Sequence, residues 1–242
     1  MNKLSQITIA FWIMKICATT LGETAGDLLS MTLNVGYIFS SIILLVFFFV
    51  TLSIQLLSKE FNPIKYWAVI LATSTAGTTI SDFLDRSLGL GYALGSTILL
   101  SLLLLTLLFW YLSEKSLSVT SIKSLKGEVF YWIAILFSNT LGTALGDFLA
   151  DDSGLGFFGG ALLIASLLLL IVLCYYYTKI SKIVLFWIAF ILTRPFGATF
   201  GDLLTKSSEK GGLNLGTIGS SLVLFLILVF LIFKANKDTV VI

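Results

Sequence analysis

FWIMKICATTLGETAGDLL, residues Phe11–Leu29, occurs four times in variant form, and the repetition organises the whole chain. It returns as YWAVILATSTAGTTISDFL at Tyr66–Leu84, YWIAILFSNTLGTALGDFL at Tyr131–Leu149 and FWIAFILTRPFGATFGDLL at Phe186–Leu204, without a gap. Each copy opens on an aromatic residue followed by Trp (Trp12, Trp67, Trp132, Trp187). Gly follows ten residues after each Trp (Gly22, Gly77, Gly142, Gly197) and Asp fifteen residues after it (Asp27, Asp82, Asp147, Asp202). Self-similarity of this kind is sought before other signals because it fixes the architecture.

Working outward, a second Gly follows nine residues after the Asp in three units (Gly36, Gly91, Gly156). In the fourth it is Gly216, fourteen residues on, because a polar stretch, Lys206–Gly212, is inserted. Another apolar segment follows each second Gly. The four units run over 6–58, 61–112, 126–178 and 181–234. Successive Asp residues are 55, 65 and 55 apart, and both alternate pairs are 120 apart. Duplication of a two-helix unit, then of the pair, accounts for these numbers. A unit with an even number of spans re-enters the membrane the same way up, so the units are parallel repeats. Pseudo-fourfold or nested pseudo-twofold symmetry about the membrane normal is expected.

The chain has 242 residues, 57% hydrophobic and 12% charged, with mean hydropathy +1.03. Soluble domains are nearer 45–50% apolar and about 25% charged, so an ordinary soluble enzyme and a disordered chain are both excluded. Eight apolar segments (6–28, 36–57, 64–84, 90–112, 129–149, 155–178, 183–204, 214–234) predict an all-α polytopic protein of eight transmembrane helices. Each approaches the ~20 residues that cross a bilayer. The first segment is no signal peptide, because it recurs three more times. Pro195, inside the seventh segment, is expected to kink it. The connections expected on one side hold Lys3, Lys59, Lys65, Lys115, Lys123, Lys126, Lys179, Lys182, Lys234 and Lys237. The other side holds only Arg86, Lys206 and Lys210, with Asp85, Asp151, Asp152 and Glu209. The positive-inside rule then puts both termini in the cytoplasm. The four Trp residues are expected to anchor the cytoplasmic interface, and Tyr37, Tyr92 and Phe157 the outer one.

On a helix, residues four apart share a face. Counted from each Trp, positions 7, 11 and 15 read Thr19-Glu23-Asp27, Ser74-Thr78-Asp82, Asn139-Thr143-Asp147 and Arg194-Ala198-Asp202. Charge in the hydrocarbon core costs upward of about 3 kcal/mol and normally turns to the bundle interior, so this polar ladder should face inward. A second ladder of small residues runs beside it: Gly22/Gly26, Gly77/Ser81, Gly142/Gly146 and Gly197/Gly201. That pattern lets helix backbones approach closely. Converging, the four Asp residues would form a carboxylate ring of the kind that selects cations. Asp27, Asp82, Asp147 and Asp202 are the expected metal ligands, assisted by Glu23, Asn139, Thr19, Thr78 and Thr143. Arg194 and Lys15 are the expected charge partners. Lys15 either snorkels to the interface or pairs with a carboxylate. Glu23 and the four Asp residues against these two cations leave three excess negative charges. A dry site cannot keep them all ionised without a cation or protons.

The chain has no His, which removes the usual catalytic base and the commonest metal ligand. Cys17 and Cys174 lack a CxxC spacing and read as small core residues. An all-oxygen donor set suits hard ions of the Mg²⁺, Ca²⁺ or Mn²⁺ type. The intramembrane aspartyl protease motif Gly-x-Gly-Asp is not met, since Thr24, Thr79, Ala144 and Thr199 stand three before each Asp. An enzyme is not expected, nor a required cofactor, nor a nucleic-acid partner at a net charge of +2. The units FWIMK…TLGETAGD, YW…GTALGDFLADDSGLGF and FW…TRPFGATFGD resemble a bacterial family of uncharacterised repeat-containing membrane-anchored proteins. The resemblance covers essentially the whole chain and implies four tandem two-helix units in the inner membrane. It brings no functional residues with it. The expected function is a small transporter that moves a cation, foremost a divalent metal ion as substrate, through a site ringed by the repeated Asp. The alternative is a non-transporting membrane scaffold or assembly factor whose ladders serve packing. The lipid bilayer and a small inorganic cation are the expected partners.

Overall fold

The computed structural model describes residues 4–122 and 124–240, and side chains for all of these except 121 and 236–240. Lys3 and Lys123, counted above toward the cytoplasmic side, lie outside the described residues, as does the side chain of Lys237. Among the described residues the chain forms eight long helices: α1 (Ile9–Asp27), α2 (Tyr37–Leu57), α3 (Pro63–Asp82), α4 (Gly91–Glu114), α5 (Leu125–Asp147), α6 (Gly156–Tyr177), α7 (Lys182–Thr205) and α8 (Thr217–Val240). Six of them, all but α1 and α3, are long and apolar enough to cross a membrane. This is a multi-pass membrane protein by helix length and hydropathy. At 19 and 20 residues, α1 and α3 are about 29–30 Å long. Their polar residues are the ones the bundle buries.

Capping side chains start three of the odd helices. Thr8 Oγ1 accepts from Phe11 N at 3.2 Å, Asn62 Oδ1 from Lys65 N at 3.1 Å and Ser124 Oγ from Gly127 N at 2.8 Å. Each occupies the N-cap, where free backbone donors need an acceptor. Pro63 opens α3, where its missing N–H costs nothing. In the first three units the Asp is the last α-helical residue and a single π-helical turn follows: Leu28–Thr32, Phe83–Ser87 and Phe148–Asp152. The loop then takes a left-handed residue (Asn34, Gly89, Gly154, Asn214) and, two residues on, a glycine of positive φ (Gly36, Gly91, Gly156, Gly216). The insertion in the fourth unit therefore leaves this turn intact. α7 runs on as α-helix through Pro195.

The odd helices form a closed ring, α1 on α3, α3 on α5, α5 on α7 and α7 on α1. The even helices lie outside it and present Leu, Ile, Phe and Val outward. The two helices of one unit scarcely touch. Instead α2 packs on α3, α4 on α5, α6 on α7 and α8 on α1, so every even helix covers the odd helix of the next unit. In lipid the ring must be held by close contact rather than by hydrophobic exclusion, and the glycines provide it. A methyl group at Gly22 would overlap Ser74, at Gly142 Arg194, and at Gly197 it would lie 2.5 Å from Thr19 Oγ1. At Gly77 it would meet the Asn139 backbone at 3.0 Å. Position 10 of each unit thus seats position 7 of the next, all the way round. Gly26, Gly146 and Gly201 likewise seat position 11 of the next unit, Thr78, Ala198 and Glu23, at 2.7–2.9 Å.

The Trp residues are not lipid-facing anchors. Trp67, Trp132 and Trp187 are buried and Trp12 half-buried. The ring brings them together with Phe11, Tyr66, Tyr131 and Phe186 into a continuous aromatic cluster that fills one end of the bundle. At its centre the Tyr66 and Tyr131 hydroxyls share a hydrogen bond of 2.6 Å.

Candidate functional site

The inward faces of α1, α3, α5 and α7 stack in layers from the aromatic cluster toward the aspartates. Lys15, Ile70, Ile135 and Phe190 form the first layer, and all four are fully buried. Lys15 reaches neither the interface nor a carboxylate. Its Nζ donates to Asn139 Oδ1 at 3.2 Å and sits 4.0 Å from the centre of the Phe190 ring. The side chain, third after Trp12, is turned inward and enclosed in the bundle, and the carboxylates are two or more turns away. Asn139 Nδ2 in turn donates to Thr73 Oγ1 at 2.8 Å and Ser74 Oγ at 3.3 Å. Thr19 Oγ1 lies 3.0–3.2 Å from the carbonyl oxygens of Lys15, Ile16 and Thr193. In this structure Asn139 and Thr19 therefore bond within this layer and not to the acidic cluster.

Arg194, fully buried on α7, extends across the ring. Its Nη1 pairs with Glu23 Oε2 at 3.0 Å. Its Nη2 donates to Thr78 Oγ1 at 2.6 Å and Thr143 Oγ1 at 2.7 Å, with the Ser74 carbonyl at 3.4 Å. One guanidinium thus ties together α1, α3, α5 and α7, and Glu23 is the counter-ion.

The last layer holds the four Asp residues, all buried. They do not present a bare ring of four. Arg86 binds Asp82 (Nε to Oδ1, 3.1 Å) and Asp147 (Nη2 to Oδ2, 3.0 Å). Lys206 binds Asp27 (Nζ to Oδ2, 2.5 Å) and Asp202 (Nζ to Oδ1, 3.1 Å). Four uncompensated carboxylates in a dry layer would repel one another strongly, and two cations from the loop ends remove that cost in pairs. Burial would push the Lys206 ammonium down, but Asp202 and Asp27 outweigh it and hold it above the ordinary lysine value. Tyr37 and Tyr92, both half-buried, border the Arg86 clamp: their hydroxyls accept from Arg86 Nη1 and Nε, both at 3.2 Å. Phe157 is buried.

From sequence alone Arg86 and Lys206 read only as loop charges. Yet each stands four residues after its Asp, and the two are 120 residues apart like Asp82 and Asp202. That shared offset was the available signal.

Between these clamps, Glu23, Asp147 and Asp202 each offer a carboxylate oxygen within 4.8 Å of the other two. A hard cation binds oxygens at about 2.0–2.6 Å, so ligand oxygens on one ion lie up to ~5 Å apart. This buried acidic triad from α1, α5 and α7 can therefore bind a metal ion. Asp27 and Asp82 stand beside it, held by Lys206 and Arg86. The five carboxylates meet three cations that touch them, Arg86, Arg194 and Lys206, which leaves a formal charge of −2.

The chain belongs to the family described as a repeat of unknown function (DUF347), which matches it four times, over residues 10–61, 65–116, 130–181 and 185–235. The matches begin 55, 65 and 55 residues apart, the spacing of the aspartates. No curated protein and no solved structure matches the chain.

Proposed function

We propose that this protein moves a small divalent cation of the Mn²⁺, Mg²⁺ or Ca²⁺ type across the bacterial inner membrane, with both termini in the cytoplasm. The observation that carries the reading is the triad Glu23, Asp147 and Asp202, three buried carboxylates on three ring helices with oxygens within 4.8 Å. The charge supports it: a site of formal −2 is neutralised by one divalent ion. The donor chemistry supports it too, since carboxylate and hydroxyl oxygens suit hard ions. Access in this conformation is closed at both ends, by the aromatic cluster on one side and by the Arg86 and Lys206 clamps on the other. With side chains 29% and 19% exposed, these two cations are the parts of the site nearest water. Substrate entry would displace them from the carboxylates they hold.

The test is Mn²⁺ uptake into liposomes containing the purified protein. Glu23→Gln, Asp147→Asn and Asp202→Asn should each abolish uptake while the protein remains folded. Absence of uptake by the wild type, or uptake indifferent to all three changes, would end the proposal. A second reading, a membrane scaffold, is favoured by the close glycine contacts around the ring. It predicts no uptake at all.

A further inference from the structure

Lys15 has no part in the site described so far, and its surroundings are unusual for a cation. It is fully buried on the inward face of α1, in the helix's second turn, one side facing Asn139 Oδ1 and another the Phe190 ring. An ammonium carries three N–H donors. Asn139 Oδ1 and the Phe190 ring receive two of them, and no acceptor for the third stands among the described residues. The charged groups facing it are few. From α7 comes Arg194, a like charge. On α1 itself Glu23 lies two turns on, already paired with Arg194. α5 and α3 bring only neutral groups, Asn139, Thr73 and Ser74. On α8 the one described charged side chain, Lys234, is exposed. An ammonium without a carboxylate partner in a dry core is costly.

Polar contacts on the side chain and then the backbone carbonyl of Ser74 nevertheless join Lys15 to the acidic triad. Lys15 donates to Asn139 and Asn139 to Ser74. Arg194 contacts the Ser74 carbonyl and pairs with Glu23. Positive charge arriving beside Glu23 weakens the hold of that carboxylate on Arg194 and raises the field at Lys15. Resting on the transport reading above, we infer that Lys15 is a proton-carrying site that couples cation movement to an opposing flow of protons. In the empty protein Lys15 holds one proton, as the ammonium. When a divalent ion binds the triad, the N–H bond breaks, the electron pair stays on nitrogen and the proton leaves to water on the side to which the bundle is open. The site charge passes from −1 to neutral. Each cycle exchanges one divalent ion for one proton and moves one net positive charge.

The experiment uses the full chain in liposomes loaded with a pH-sensitive dye, with Mn²⁺ uptake followed in the same vesicles. Wild type should expel one proton per Mn²⁺ taken up, faster with the interior negative. Lys15→Met should lose proton movement while Mn²⁺ still runs down its own gradient. Wild-type Mn²⁺ uptake without proton movement, or unchanged proton movement in Lys15→Met, overturns the coupling and leaves the transport reading standing. No Mn²⁺ uptake by wild type ends the transport reading itself. Lys15 is then judged on wild-type protein by ¹⁵Nζ NMR, its signal assigned from the one missing in Lys15→Arg. An ammonium in the ion-free protein that becomes a neutral amine when Mg²⁺ is added supports a proton-carrying site, and a signal that Mg²⁺ leaves unchanged overturns it.

Discussion

Arg86 and Lys206, 120 residues apart, make the same pair of contacts: each binds the Asp four residues before it and the Asp of the following unit. The two clamps close the four-membered ring as two halves. Lys206→Met leaves Asp27 and Asp202 without their cation and should cost about 1–3 kcal/mol, less than a fully buried pair because the ammonium is partly exposed. The lysine is held above its ordinary value by its partners. Its contribution is therefore complete below the unfolded value near 10.4 and is lost only as pH rises through the higher folded value. The gap in melting temperature between wild type and Lys206→Met in detergent should stay constant between about pH 6 and pH 9. A gap that closes within that range would place the titrating group elsewhere.

Arg194 and Glu23 form the most buried ion pair among the described residues, and removing one member strands the other. Arg194→Met should destabilise the protein by about 3–5 kcal/mol. The double variant Arg194→Met/Glu23→Gln should recover much of that loss, because no unpaired charge remains. Thermal unfolding of the three variants measures the coupling, and simple additivity would contradict the pairing.

Close packing predicts a contrast between two glycines. An added methyl at Gly142 would collide with Arg194 and lie 2.9 Å from Pro195 Cδ, whereas one at Gly219 on α8 would meet nothing within 4 Å. Gly142→Ala should cost roughly 1–3 kcal/mol. Gly219→Ala should be neutral or stabilise by up to about 1 kcal/mol through helix propensity. Paired melting curves decide it.

The Tyr66–Tyr131 hydrogen bond closes the aromatic end. Tyr66→Phe leaves one buried hydroxyl without its partner, a loss of about 1–3 kcal/mol. Tyr66→Phe/Tyr131→Phe removes both hydroxyls and should melt closer to wild type than the single variant does. A double variant worse than the sum of the singles would mean that the hydroxyls have other roles.

Much of this was legible from residue spacing. The Trp-Gly-Asp register identified the ring helices, and the i, i+4 ladder placed Glu23, Arg194 and the aspartates on one inward face. What spacing could not carry was closure. Burial of Trp67 and Trp132 depends on four helices meeting, which no single segment reveals. Arg86 and Lys206 lie beyond the apolar segments and looked like solvated loop charges, although their offset from Asp82 and Asp202 follows the same ladder. The partner of Lys15 sits 124 residues away on another helix. Nor does a two-helix unit announce that its second helix will cover a neighbour rather than its own first helix.

That handover has a consequence for how such a chain can be divided. A half-length piece of two units would leave α1 uncovered and α4 with nothing to cover. Two identical halves side by side, the same way up, would each supply what the other lacks. The 120-residue repeat thus places in one chain the complementarity that a parallel pair of half-length chains would need.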